Sequence, residues 1–168
     1  MLKPADLVVA LKAHLLRGSA WTYASLGQAV GMSASQAHAA LARAEQADLF
    51  RSQGRRAKPN NLLEFLAHGV RFAFYPQLGG HVLGVPTAHA VAPLLDLLVG
   101  VEGASVFVWP DPAGTVFGQA LEPLHRAVPS VSRRDPELHS VLALVDALRV
   151  GRVRDRELAL GLLRETLS

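Results

Sequence analysis

The sequence predicts an α+β protein that is mainly α, and three observations lead there. Apolar residues recur at helical spacing through most of the 168 residues, with capping signals before these runs and glycine after many of them. Short runs of β-branched and aromatic residues between Gly, Pro and Asp interrupt this pattern at only three places. Half of the chain is hydrophobic and 18% is charged, which is enough to bury a sizeable core and too apolar for disorder.

The elements follow in chain order. Pro4 suits a first helical position, and Leu7, Val8, Leu11 and Leu15 then form one apolar stripe up to Gly18. After Ser19-Ala20-Trp21, Thr22 caps a second helix with Tyr23, Leu26 and Val30 inward and Gly31 as its stop. Ser33-Ala34-Ser35-Gln36 is a capping box that opens a third helix to about Ala47. That helix packs through Ala37, Ala40, Leu41 and Ala44, and turns Ser35, Gln36, His38, Ala39, Ala42 and Arg43 outward. Residues 49–52 and 55–58 read as two short strands around a two-residue turn, Gln53-Gly54. Asn60 or Asn61 caps a fourth helix to Gly69.

Residues 70–75 alternate like a strand, and the Gly and Pro content of 76–87 argues for irregular chain. Pro93 starts a short helix to Val99. Residues 105–109 and 115–117 flank Asp111-Pro112-Ala113-Gly114 as a hairpin. Asp135-Pro136-Glu137 opens a helix with Leu138, Val141, Leu142, Val145 and Leu148 on one face, and a last helix runs from about Arg154 to Leu167.

Helix, short helix, turn, capped helix and basic hairpin within residues 4–58 is the order of a winged helix-turn-helix. Its third helix enters the DNA major groove by its N-terminus, its second lies against phosphates, and its hairpin supplies cations to a flanking groove. Residues 21–41, with residues 44–50 after them, resemble the DNA-binding domain of bacterial winged-helix transcription regulators of the MarR and related types. The resemblance covers the first third of the chain and departs from the pattern at Gly27, where Ala is usual, and in the alanine-rich outward face of the third helix. It implies a DNA-binding site made of Thr22, Tyr23, Ser33, Ser35, Gln36, His38, Arg43, Arg51, Arg55, Arg56 and Lys58.

Charge agrees with that assignment. Residues 1–58 hold eight Lys or Arg against three acids, whereas residues 59–168 hold nine against eleven. A basic surplus confined to the front third suits a polyanionic partner there. A second arginine cluster (Arg149, Arg152, Arg154, Arg156) is interleaved with Asp146, Asp155 and Glu157 and reads as local ion pairing.

Other chemistry finds no motif. The absence of cysteine excludes a disulfide framework, a thiolate nucleophile and Cys-containing zinc sites. The seven histidines show no metal-ligand spacing, and the Gly79–Gly84 run lacks the Lys-Ser/Thr of a phosphate loop. No Gly-x-Ser-x-Gly is present, and Asp111 and Glu102 sit beside turns rather than forming an acid/base pair. Neither a cofactor nor an enzymatic activity is expected. The N-terminus lacks a signal peptide's apolar run, and no stretch of about 18 apolar residues escapes charges or breakers, so a cytoplasmic protein off the membrane is expected.

The resulting expectation is a transcription regulator that binds double-stranded DNA. Residues 1–58 form its DNA-binding domain, and residues 59–168 a region for dimerisation or for a protein partner or small-molecule effector. A homodimeric repressor is expected, because the helices at 137–149 and 154–167 leave an apolar face that a second chain covers. Three alternatives stand beside it: an antitoxin-like protein that autoregulates its operon, a winged helix used only for protein interaction, and an enzyme without a recognisable motif.

Overall fold

The computed structural model describes residues 1–98 and 105–168. Its first helix, α1 (Pro4–Leu15), begins with proline where a backbone donor has no helical partner, and the Lys3 N–H donates to Asp6 Oδ2 at 2.8 Å. Residues 6–14 of α1 are buried without a break, so the helix is enclosed all round and not amphipathic with one stripe. Thr22 caps α2 (Tyr23–Val30), which ends at Gly31 in the left-handed region (φ 71°). Ser33 and Gln36 form the expected capping box of α3 (Ala34–Gln46). Ala37, Ala40, Leu41 and Ala44 are buried, and their small side chains admit α1 and α2 at close range.

Strands β1 (Phe50–Arg51) and β2 (Arg56–Ala57) pair antiparallel, with Phe50 opposite Ala57 and Arg51 opposite Arg56. Their connection is four residues long and not two. Positive φ falls on Gly54 and Arg55, one position later than a turn at Gln53-Gly54 needs.

Helix α4 (Pro59–His68) starts before either asparagine, with Pro59 at the first helical position and Lys58 as cap residue. Asn61 instead donates through its amide to the Asp48 backbone oxygen and carboxylate. Residues 70–75 are not a strand. Gly69 stays in a right-handed helical conformation, so the chain winds on into α5 (Val70–Ala73), and the alternating Phe72 is exposed. With only Val70 buried in α5, the period of two had no buried face behind it.

The longest strand, β3 (Leu78–Thr87), occupies the stretch expected to be irregular. Its first half pairs antiparallel with β5 (Val116–Leu121) and its second half with β4 (Phe107–Pro110), changing partner at Gly84. A side chain at Gly84 would sit 2.2 Å from the Trp109 carbonyl oxygen, and one at Gly114 would meet the Gly84 backbone at 2.3 Å. The glycines therefore mark close backbone approach rather than loop. Strands β4 and β5 do not form the expected hairpin: they pair in parallel with each other, closing the three strands on themselves.

A 3-10 turn (Ala88–Ala90) and α6 (Leu94–Leu97) follow β3. Val99, the expected end of the α6 helix, and Glu102 lie outside the described residues. Then come α7 (Val128–Ser132), α8 (Pro136–Val150), which the Asp135 carboxylate caps, and α9 (Val153–Leu167). Residues 141–148 of α8 are all buried. Helices α1, α4, α5, α7 and α9 surround α8 together with β3 and the 3-10 turn. The second face of α8 is thus covered by its own chain, which removes the reason for expecting another chain there.

At that contact the Asp146 carboxylate accepts from Thr87 Oγ1 and Trp109 Nε1 (2.8 and 2.7 Å) and from Arg149 Nη1 (2.6 Å). Burial pushes its carboxyl up, opposed by the Arg149 guanidinium. Front and rear share one apolar cluster that crosses the boundary expected at Pro59, and Lys12 of α1 pairs with Asp135 at 2.6 Å. The fold is α+β and mainly helical, with a small antiparallel hairpin and a three-stranded sheet.

Candidate nucleic-acid interface

Helix α3 presents its N-terminal turn to solvent: Ser33, Ala34, Ser35, Gln36 and His38 are all exposed. Free amide groups at such an end, with the helix dipole behind them, attract anions. Several polar side chains there are already engaged. Ser33 Oγ accepts from the Gln36 N–H at 3.2 Å and lies 3.2 Å from Ser35 Oγ, while Gln36 Oε1 accepts from the Ser33 N–H at 2.8 Å. A bidentate contact to adenine needs both ends of the amide, so Gln36 keeps its NH2 for a base only singly unless the capping box opens. In α2, Thr22 Oγ1 accepts from the Ser25 N–H (3.0 Å), and the Ser25 hydroxyl returns the favour to Thr22. Tyr23 is half-buried, with its ring edge-on to Trp21 (5.8 Å) and to His38 (4.8 Å).

Arg43 does not point outward. Its Nε and Nη2 donate to the two oxygens of Asp6 at 2.8 and 2.7 Å, forking across to a carboxylate that is fully buried in α1. Asp6 holds the Arg43 guanidinium above even its ordinary high pKa. The signal for this partner was an acid placed inside an apolar helix, but Asp6 at the third helical position also fits a cap.

The hairpin divides its cations. Lys58 pairs with Asp48, which it holds below the usual carboxylate range. Arg55 folds back over the Trp21 and Tyr23 rings (4.9 and 5.3 Å) and donates to the Trp21 carbonyl oxygen at 2.6 Å. Glu45, at the end of α3, accepts from the Ser52 N–H and hydroxyl, which lower its carboxyl and tie the hairpin to that helix. All three acids of residues 1–58 are therefore engaged. Arg51 and Arg56 face each other across the two strands, both exposed, and among the described residues neither makes an ion pair or a side-chain hydrogen bond.

Two features escaped sequence reasoning. A cavity of about 870 Å³ opens between the end of α1 and the hairpin, walled by His14, Arg17, Trp21, Arg55 and Arg56, whereas an effector was expected at the rear region. The α2–α3 turn also rests on α7, where a side chain at Gly31 would come within 2.5 Å of Ala127 Cβ. Neither contact leaves a trace in local sequence, because the partners are distant in the chain. Among the described residues no three His, Asp or Glu side chains gather as metal ligands, and no helix is long and apolar enough to cross a membrane.

Comparison with protein-family models, curated proteins and solved structures finds no match for this chain.

Proposed function

We propose that the chain is a transcription regulator that binds double-stranded DNA through residues 1–58 used as a winged helix-turn-helix, acting in the cytoplasm and without catalysis. The observation that carries this reading is the opposed pair Arg51 and Arg56. Like charges directly opposite on a strand pair cost up to about 1 kcal/mol, and the nearby Asp48 carboxylate, which feels Arg51, is already paired with Lys58. A phosphate backbone offsets them, and the exposed N-terminus of α3 offers the donors for a neighbouring groove. The engaged Gln36 and the alanines at 39 and 42 favour readout through phosphates and groove shape over a dense set of base contacts. Pairing of two copies on two half-sites supplies avidity, and sedimentation with and without duplex DNA tests it.

The deciding experiment is titration of labelled duplex DNA by fluorescence anisotropy across a range of salt concentrations. Affinity that falls steeply with salt supports the reading, and weaker binding by Arg51→Gln/Arg56→Gln places the contact on the hairpin. Absence of salt-dependent binding refutes it. One observation favours a second reading, a module that binds a protein partner: Leu83 and Phe117 face each other on β3 and β5 and are 51% and 65% exposed. Pull-down with an unrelated DNA-free lysate does not separate the two readings, but the anisotropy titration does.

A further inference from the structure

We infer that the cavity between the end of α1 and the hairpin binds a small organic anion with an apolar body, a carboxylate or sulfonate on a hydrocarbon frame, gripped by the Arg55 guanidinium. This goes beyond DNA binding and stands or falls without it.

Size and walls come first. The cavity holds about 870 Å³, within the range of sites that enclose a small organic molecule. Much of its wall is apolar, from Ala13 and Leu16 at the end of α1, Ala20 and Trp21 before α2, and Ala57 and Pro59 at the end of the hairpin. Gly18 and Gly54 line it as well. A side chain added to either would meet nothing within 4 Å, so open space lies beside both. Such walls suit a hydrocarbon body, whereas a hydrated inorganic ion gains nothing by leaving water for them.

Charge then selects an anion. Arg17, Arg55 and Arg56 line the cavity, and among the described residues no Asp or Glu does. Two smaller cavities differ in this respect: Glu122 stands with Arg126 in one, and Asp48 with Arg51, Arg56 and Lys58 in the other. An anion entering either of those meets a carboxylate.

The Arg55 guanidinium is placed by its contacts. Its Cζ lies 4.9 Å from the centre of the Trp21 ring, and its Nη1 donates to the Trp21 carbonyl oxygen at 2.6 Å, so the group rests against a residue of the cavity wall. That oxygen is the one acceptor its side chain meets among the described residues. A guanidinium carries five N–H donors in a planar fork, and the rest of this fork is left for the two oxygens of a carboxylate or sulfonate. Arg17 adds a second positive charge, its Nη2 reaching the Thr166 and Ser168 backbone oxygens only at 3.5 and 3.3 Å. His14, in the same wall, is 5% exposed, and its Nε2 has no hydrogen-bond partner among the described residues. The wall therefore also holds a polar group that the protein leaves unsatisfied.

The test is a fluorescence titration, without DNA, of two probes that brighten on entering an apolar site: anilinonaphthalene sulfonate, and N-phenylnaphthylamine, the same molecule lacking the sulfonate. The proteins are the wild type, Arg55→Gln, and two controls, Arg126→Gln in the cavity that holds Glu122 and Leu83→Ser/Phe117→Ser on the exposed sheet face. All substituted residues are exposed, and circular dichroism verifies that each variant is folded. The inference expects the sulfonate to bind the wild type with a Kd on the order of tens of micromolar. Arg55→Gln weakens the sulfonate about tenfold, the worth of one hydrogen bond to a charged group, and changes the neutral probe by less than about twofold. Both controls keep the wild-type affinity for the sulfonate. Failure of either probe to bind the wild type overturns the inference. So does an unchanged sulfonate affinity in Arg55→Gln, an equal weakening of the neutral probe there, or loss of the sulfonate in a control. The DNA-binding reading is untouched by any of these results, since it is decided by the duplex titration.

Discussion

Replacing Arg43 by methionine separates a structural arginine from a DNA-contacting one. The substitution keeps the length of the side chain and leaves the Asp6 carboxylate fully buried with, among the described residues, only the Lys3 N–H as a polar partner. Breaking a buried ion pair from one side costs about 3–5 kcal/mol. The Arg43 side chain is 27% exposed, so water screens part of the loss, and the lower end, about 3 kcal/mol, applies. For a chain of this size that is a fall of about 6–12 °C in Tm. Urea denaturation measures the free energy, and the double variant Asp6→Leu/Arg43→Met regains all but about 1 kcal/mol, the residue being the lost cap at Lys3. Because Arg43 forks onto α1, the folded variant keeps the wild-type salt slope for duplex DNA. A stability loss under about 1 kcal/mol, or a slope shallower by about 0.9, refutes the assignment of Arg43 as a clamp between α1 and α3.

Three further outcomes are expected. Burial, and then the charge of Arg17, hold His14 below its ordinary pKa of 6.5, so the unfolded chain takes up the proton first and stability falls as pH drops below about 6.5. His14→Leu flattens part of that decline in urea midpoints followed between about pH 7 and about pH 5, with the similarly lowered His125 accounting for a further share; an unchanged profile counts against His14. Gly31→Ala costs about 3 kcal/mol in thermal unfolding, because alanine is strained at φ 71° and its Cβ overlaps Ala127, and a neutral result contradicts the packing of α7 on the turn. Truncation after Arg134 removes α8 from the shared core and abolishes cooperative unfolding; a sharp transition in the truncated chain shows instead that the front folds alone.

The front third was legible because its signals are local. The Thr22 and Ser33 caps, the Gly31 stop and the Ala37–Ala40–Leu41–Ala44 face each arise within one helical turn or one helix, and local hydrogen bonding decides them whatever packs outside. The rear was less so. Residues 70–73 wind into α5 and residues 78–87 extend into β3 because of what lies opposite, and the glycines at 84 and 114 read as loop until Trp109 and the crossing backbone are seen against them. The candidate site divides in the same way. Sequence identified which residues carry charge or a hydrogen-bonding group, but not which would be consumed: Arg43 by Asp6, Lys58 by Asp48, Arg55 by the Trp21 and Tyr23 rings.

By itself, then, the sequence determined the helices of the front segment, their caps and the basic surplus there, since each depends on residues a few positions apart. Only the tertiary structure decided that α8 is enclosed by its own chain, that Arg51 and Arg56 make no ion pair among the described residues, and that α7 abuts the α2–α3 turn. Those outcomes depend on contacts between residues tens of positions apart, and a guanidinium's availability is set by the carboxylates, carbonyl oxygens and rings that folding brings to it.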